Sequence, residues 1–234
     1  MEAKRINVLA ITILTFISGA CSNLGLLDKL ENPGGTGSVS QGQALIAFLS
    51  SQSTNADLSS YTTGPFASCG GLTNLARADC ACQTMATNAG LPMPMSGKYI
   101  AWLSSSSNDM SCRLAGITSP LVSCTPPSGG PTWTNTNGQI IANGYGGIFG
   151  GSLMAPLNYT EAKVQASAGA LAWTGTGTDG KLTGTAATTT CTDWSLAGSA
   201  IGGLADAVNA NWTNNSTPPS CSSGTAQIYC FAKP

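Results

Sequence analysis

The C-terminal segment Trp173–Phe231 limits most strongly what this chain can fold into. It consists mostly of Gly, Ser, Thr, Asn and Ala and holds few charged residues. Such a segment buries little apolar area per residue, so it folds only if cross-links and a few large aromatic side chains hold it. It contains both, in the residues Cys191, Cys221, Cys230, Trp173, Trp194 and Trp212. The sequence therefore predicts a domain with long loops whose ends are joined by disulfides.

The composition excludes several classes of protein. Only 8% of the 234 residues are charged, against about a quarter in an ordinary domain. Nucleic-acid binding requires clustered Lys and Arg, so we expect no nucleic-acid partner. The chain has no histidine, which removes the commonest general base and the commonest zinc ligand, and we expect neither a cofactor nor enzymatic activity. Nine cysteines in such a chain indicate an oxidising compartment.

Residues 1–20 have the pattern of an export signal peptide. Lys4 and Arg5 precede the apolar run Val8–Ile17, which is about half as long as a membrane-spanning helix. Small residues then precede Cys21, as in bacterial lipoprotein signals, in which that cysteine becomes the first mature residue and carries the lipid. Cys21 is thus the predicted lipidation site, and setting it aside leaves an even number of cysteines. The alternative is ordinary secretory cleavage, which would leave Cys21 as a structural thiol.

The mature chain divides into a tether and one domain. Residues 21–43 form a flexible tether, because the Gly-rich stretch Pro33–Gly37 cannot pack. Residues 44–234 form the domain. It begins with the apolar run Ala44–Leu49, which is short and bounded by turn residues and therefore predicts a buried strand rather than a helix.

One helix and several strands are predicted within the domain. Residues Arg77–Gly90 predict a helix that ends at its glycine, because small and apolar residues recur at helical spacing. Its expected core face is Ala78, Cys82, Met85, Ala86 and Ala89. The remaining predictions are strands at Lys98–Leu103 and Leu171–Trp173, a hairpin turn at Asn137-Gly138 and a tight turn at Thr178–Gly180.

The order and spacing of these motifs resemble the endostatin domain of collagens. The resemblance begins with Cys82, which stands eight residues before Gly90-Leu91, and with the run Tyr99–Ser105. It covers residues 45–231 and continues through Trp173-Thr-Gly, Cys191-Thr-Asp-Trp194, Cys221 and Ile228-Tyr-Cys230. With a lipoprotein signal in front, the chain resembles the leptospiral endostatin-like lipoproteins and their bacterial relatives.

The resemblance implies the fold and part of the cross-linking. The implied fold class is α+β, a C-type-lectin-like, endostatin-like domain with a twisted, mostly antiparallel sheet, one or two helices and long disulfide-stapled loops. It also implies the nested disulfides Cys82–Cys230 and Cys191–Cys221. For the four cysteines that remain, the simplest pairing is Cys69–Cys80 and Cys112–Cys124, which the sequence leaves open.

The resemblance further implies a function at the cell surface. It implies an adhesin, lipid-anchored in the bacterial outer membrane, that binds host extracellular-matrix proteins or complement regulators, with the loops between Gly175 and Ser220 as the contact surface. Collagen endostatins have a histidine zinc site and an arginine-rich heparin patch. Neither is implied here, because the mature chain has no histidine and only Arg77 and Arg113. We therefore expect no heparin binding and no metal. Two alternatives stay open, a calcium-independent glycan-binding lectin with exposed tryptophans and a structural envelope lipoprotein.

Few residues are candidates for chemistry. Asp179 and Asp193 are the carboxylates nearest the long loop, and a glycosidase would need them as neighbours around a cleft. A turn at Asp179 and a local backbone anchor at Asp193 explain them better. Cys80-Ala-Cys82 fits disulfides better than a metal, because no further soft ligands accompany it. Tryptophans fill cores more often than they stack on sugars, and we expect this of Trp102, Trp173, Trp194 and Trp212.

Overall fold

The computed structural model describes residues 44–53, 68–72, 74–195, 198–215, 220–221 and 226–234. All of them fall in the unit Gly42–Pro234. The predicted signal peptide, the lipidation site Cys21 and the tether lie outside the described residues. No helix in the described ranges is long and apolar enough to cross a membrane.

Seven short strands form one curled sheet in the described part of the chain. They are β1 (Leu45–Leu49), β2 (Tyr99–Ala101), β3 (Thr132–Asn135), β4 (Ile140–Asn143), β5 (Leu171–Trp173), β6 (Gly202–Leu204) and β7 (Gln227–Ala232). The strand order is β4-β3-β1-β7-β5-β6, and β2 also pairs with β7. The pairs β1–β3 and β5–β7 are parallel, and the other four are antiparallel. The predicted α+β class with a mostly antiparallel sheet is therefore confirmed.

Strands β1 and β7 lie side by side at the centre because β1 is apolar throughout and β7 is apolar from Ile228 onward. In the antiparallel register Phe48 stands opposite Cys230, and Leu49 opposite Tyr229. All four side chains are fully buried. Phe48 and Cys230 belong to one hydrophobic cluster, whereas Leu49 and Tyr229 belong to a second cluster. Apolar residues at successive positions are typical of strands that are covered on both faces.

Helix α1 (Asn74–Asn88) is the only long helix in the described ranges. The others are single turns, namely α2 (Met110–Leu114), α3 (Gly144–Ile148), α4 (Ala186–Thr189), a 3₁₀ turn at Ala210–Trp212 and the turn Cys191–Trp194, whose residues have positive φ. Helix α1 buries the predicted face, including Ala78, Cys82 and Met85. Ala89 was predicted on this face and is exposed instead. The helix ends at Asn88, one residue before Ala89, and Gly90 with φ +65° turns the chain away from the helix axis.

The tryptophans fill the two cores, as predicted for Trp102, Trp173, Trp194 and Trp212, and Trp133 is buried with them. Trp102, Trp133, Trp173 and Trp212 are fully buried, and Trp194 is 1% exposed. Trp102 lies at the centre of the second cluster, with ring centroids 4.7 Å from Trp212 and 5.0 Å from Phe231. Its indole Nε1 donates to Thr213 Oγ1 at 2.8 Å. The polar atom of the indole is therefore satisfied within the core, as a buried donor requires.

Four disulfides cross-link the domain. They join Cys69 to Cys80, Cys82 to Cys230, Cys112 to Cys124 and Cys191 to Cys221. These are the same four pairs as those expected from the sequence. Cys80 and Cys82 serve two different bridges, which fix α1 to the preceding loop and to β7.

Two local predictions differ in length from the structure, and one agrees with it. The strand predicted over Lys98–Leu103 is only Tyr99–Ala101. It ends early because Leu103 N turns back to donate to Ala101 O at 2.9 Å instead of continuing the ladder. The helix predicted from Arg77 begins at Asn74. The hairpin at Asn137-Gly138 forms as predicted, since it joins β3 to β4 and Gly138 has φ +84°.

Candidate functional site

A polar cleft of about 380 Å³ opens on one side of the domain, and we call it the Asp79 cleft. Helix α1 contributes Asn74, Leu75, Ala76 and Asp79, the loop after β2 contributes Ser105, Ser107 and Asn108, and Arg113 of α2 and Asp193 complete the lining. These residues come from three separate parts of the sequence. The cleft collects three charged residues of a chain that has very few.

An ion pair between Asp79 and Arg113 forms the floor of the cleft. Oδ1 of Asp79 also accepts a hydrogen bond from Ala101 N at 2.9 Å. Nη1 of Arg113 donates to the carbonyl oxygens of Ala101 and Leu103. The Arg113 side chain is 10% exposed and that of Asp79 is 30% exposed. Both side chains are therefore held by the main chain around β2, and the carboxylate stays partly open to solvent.

The turn Cys191–Trp194 presents Asp193 to the cleft in a left-handed backbone conformation. Its four residues have φ values of 51°, 56°, 53° and 69°. None of them is glycine, and left-handed helical geometry costs about 1–2 kcal/mol for each such residue. The turn is held by the Cys191–Cys221 disulfide and by Trp194 Nε1, which donates to Ser104 O at 2.9 Å. Tertiary contacts thus maintain a conformation that the local sequence does not favour.

Asp193 anchors a distant loop and not only its own turn. Its Oδ1 accepts from Ser106 N at 2.8 Å across 87 residues of sequence, and its Oδ2 accepts from the Ser106 hydroxyl. Within the turn, Asp193 N donates a hydrogen bond to Thr190 Oγ1 at 3.1 Å. Asp193 therefore anchors main chain, as predicted, but the prediction that the anchored main chain is local is wrong, because the carboxylate binds Ser106 in the loop at the other side of the cleft.

Asp179 takes the role predicted for an Asp-Gly turn. Its Oδ1 accepts from Lys181 N at 3.1 Å, and Gly180 N donates to Gly177 O at 3.0 Å. Asp179 is not part of the Asp79 cleft lining, whereas Asp193 is. Within the described residues, no three His, Cys, Asp or Glu side chains come together as a possible metal site.

Three cations that are distant in sequence lie near one another. Lys233 N donates to Lys98 O at 2.9 Å, at the end of the β2–β7 pair. Burial lowers the pKa of Lys233, and the charges of Lys98 and Arg113 lower it further, while Asp79 opposes the shift. The sequence does not show that Lys98 and Lys233 are neighbours, because only the β2–β7 register brings residues 98 and 233 together.

Three exposed apolar residues, Ile140, Met154 and Val208, lie on β4 and on segments hydrogen-bonded beside it, and we call them the apolar edge patch. Their exposed fractions are 44%, 65% and 43%. Met154 N donates to Ile141 O at 2.9 Å. Leu153 N donates to Val208 O at 2.7 Å. Main-chain hydrogen bonds thus place the three residues on adjoining segments.

The fold and these surfaces define a disulfide-stapled α+β domain with a polar cleft on one face and an apolar patch at a sheet edge. No protein-family model matches the chain. No curated protein matches it significantly either.

Proposed function

We propose that the protein is a lipid-anchored bacterial surface adhesin whose domain binds host extracellular-matrix proteins or complement regulators. The proposal includes a C-type-lectin-like, endostatin-like fold for residues 44–234. It is supported by the pairing of the first strand with the last, β1 with β7, and by the disulfide that joins α1 to the last strand. The second implied bridge, Cys191–Cys221, closes the long loop region.

The apolar edge patch is the observation that carries the choice of a protein ligand. Exposed apolar residues grouped on one surface are typical of protein-binding sites. Met154 is the most exposed of the three, and the flexible thioether side chain adapts to varied partner surfaces. Val208 belongs to the loops predicted as the contact surface, whereas Ile140 and Met154 extend that surface to β4.

A lectin that stacks sugars on exposed tryptophans is the less favoured alternative. All five tryptophans of the chain lie within the described residues, and each is buried. That mechanism requires an exposed indole face, which the domain does not offer. Protein contact through the apolar edge patch requires no such platform.

Charge also favours protein over polyanion ligands. From Cys21 onward the chain has seven basic and nine acidic residues. Heparin binding depends on clustered cations and on the release of counterions. Of the three neighbouring cations, Arg113 is paired with Asp79, so only Lys98 and Lys233 remain. Polar loops with few charges resemble antibody binding loops, which bind proteins with adaptable hydrogen bonds.

Surface plasmon resonance with the chain from Ser22 onward, which lacks the predicted lipidation site Cys21, tests the proposal. Laminin, fibronectin and complement regulators are the immobilised ligands. Met154→Asp places a charge in the apolar edge patch and should weaken binding at least about tenfold, since desolvating an unpaired charge is costly. Met95→Asp is the matched control, because Met95 is fully exposed outside the patch. The proposal is wrong if none of these proteins binds, or if both variants behave alike.

A further inference from the structure

We propose that Met154 is a redox modification site, at which a peroxide oxidises the thioether to a sulfoxide and thereby weakens protein binding by the apolar edge patch. The regulatory part of this inference rests on the proposed protein-binding function. The choice of Met154 as the modified residue does not, because it follows from the exposure and the surroundings of that side chain.

The cross-linking of the domain leaves methionine as its oxidisable sulfur. Every cysteine in the described ranges is joined in a disulfide, so none of these cysteines offers a thiol to an oxidant. The tryptophans are buried. Disulfides persist in an oxidising compartment, where exposed methionine is a common target of oxidation. An oxidant that reaches this part of the chain therefore meets methionine first.

Burial divides the methionines of the described ranges into two groups. Met85 is 2% exposed and Met110 is fully buried, so the core shields both sulfur atoms. Met93 is 47% exposed, Met154 is 65% exposed and Met95 is fully exposed. Of these three, Met154 is the one that belongs to the apolar edge patch. Oxidation at this residue therefore changes the chemistry of the proposed binding surface.

The sulfur of Met154 is held at the surface and stays reactive. Asn143 Nδ2 donates to Met154 Sδ at 3.5 Å. The amide faces the sulfur with its nitrogen because Asn143 Oδ1 accepts from Thr132 Oγ1 at 3.0 Å. A thioether sulfur has two lone pairs and is a weak acceptor. The contact with Asn143 occupies one lone pair, and the exposed side of the sulfur leaves the other for the oxidant.

The modification is a two-electron oxidation. The sulfur attacks one oxygen of hydrogen peroxide, the O–O bond breaks and an S–O bond forms. The second oxygen leaves as water with both protons of the peroxide. Sulfur loses two electrons and the peroxide gains them, so the step needs no other reactant.

The sulfoxide turns the most exposed side chain of the patch from apolar to polar. Its oxygen is a strong hydrogen-bond acceptor, and a partner surface that covers it has to remove its water. Burying a polar group without a full set of partners is unfavourable. We therefore expect the dissociation constant for a protein ligand to rise at least about fivefold. Methionine sulfoxide reductases reverse the reaction, so the change acts as a switch.

Peptide mapping by mass spectrometry tests the choice of residue. The chain from Ser22 onward is treated with increasing hydrogen peroxide, digested and analysed for added oxygen. Met93, Met95 and Met154 should be oxidised before Met85 and Met110. Met154 that stays reduced while Met95 is fully oxidised would overturn the assignment.

Surface plasmon resonance on laminin, fibronectin and complement regulators tests the effect on binding. Peroxide treatment should weaken binding of the wild type at least about fivefold, and reductases for both sulfoxide epimers should restore it. Met154→Leu keeps the volume and apolar character of the side chain without sulfur. This variant should bind like the untreated wild type and should keep its affinity after peroxide. Met95→Leu is the matched control and should lose affinity as the wild type does.

The outcomes separate this inference from the proposed function. Undiminished binding by a protein whose Met154 is oxidised, or an equal loss in Met154→Leu, would contradict the switch. If the untreated protein binds none of the ligands, the proposed function is wrong and the switch is wrong with it. The peptide map still decides in that case whether Met154 is the modified residue.

Discussion

Cys82 on α1 is bonded to Cys230 on β7, and the two Cα atoms are 5.4 Å apart across 148 residues of sequence. Both cysteines are fully buried, and they join the longest described helix to the strand at the centre of the sheet. The bridge therefore closes almost the whole described domain into one covalent loop.

This bridge should stabilise the domain more than the short one beside it. The loop-entropy model gives about 5 kcal/mol for a loop of this length and about 3 kcal/mol for the Cys69–Cys80 loop of 11 residues. We expect Cys82→Ala/Cys230→Ala to unfold at body temperature or nearly so, because whole domains are stable by only about 5–15 kcal/mol. Urea unfolding of both double variants is the measurement. An equal loss in the Cys69→Ala/Cys80→Ala variant would argue against this explanation.

A single methyl group at Gly203 should disrupt the loop that carries Trp212. A Cβ at this position in β6 would lie 1.8 Å from Trp212 O, a main-chain atom that cannot move aside locally. We therefore expect Gly203→Ala to cost at least about 3 kcal/mol or to prevent folding. Gly146→Ala in α3 is the matched control, since nothing lies within 4 Å of its Cβ, and it should be neutral or slightly stabilising. Thermal unfolding distinguishes the two, and similar melting temperatures would refute the expectation.

Buried tyrosines should make the domain sensitive to alkali. Burial raises the pKa of Tyr99 to about 12, against about 10 in an unfolded chain. The folded state thus holds its proton more tightly, so this stabilisation is complete below about pH 10 and is lost as the pH rises towards 12. Burial also raises the pKa of Tyr145 and Tyr229, which adds to the effect.

Tyr99→Phe isolates one part of this dependence. Tyr99 OH donates to Pro92 O at 2.7 Å, so the variant should lose about 1 kcal/mol at neutral pH. Above about pH 10 the deficit should shrink, because phenylalanine has no proton to lose. Urea midpoints measured from neutral to alkaline pH give the result. A deficit that stays constant over this range would contradict the assignment.

Membrane attachment should depend on Cys21. A diacylglyceryl group with an added amide-linked chain supplies more than one acyl chain, which is enough for stable anchoring. We expect Cys21→Ala to stay unprocessed or to be released into the medium. Detergent phase partitioning and the mass of the mature protein test this. A variant that still enters the detergent phase at the wild-type mature mass would show that the anchor lies elsewhere.

Much of the fold could be predicted because its signals are local. The run that becomes β1 is apolar at every position, that of β7 is apolar from Ile228 onward, and Asn137-Gly138 specifies its hairpin by backbone conformation alone. The helix position follows from spacing, although Ala89 shows that a helix end depends on one glycine. The left-handed turn could not be predicted, because Cys191-Thr-Asp-Trp194 has no glycine and is held by Ser104 and Cys221, which are distant in sequence.

The candidate site was harder to predict than the fold. Asp79 and Arg113 are 34 residues apart and meet only when α1 packs against β2. The sequence held one signal for this ion pair. Charged residues are only 8% of the chain, so each of them is better explained by a specific pairing than by a need for solubility. Asp193 was singled out from the sequence, but its partner Ser106 was not, because one serine in a run of four carries no distinguishing pattern.

We propose that the domain binds proteins through a surface with few charges. It should not bind polyanions, because that would require clustered cations. The most direct measurement is surface plasmon resonance of the mature chain on laminin and heparin in parallel, over a series from low to physiological salt. We expect modest laminin binding that changes little with salt or with calcium chelation, and no heparin binding. Tight heparin binding that falls steeply as salt rises would contradict the account, because counterion release would then drive the interaction.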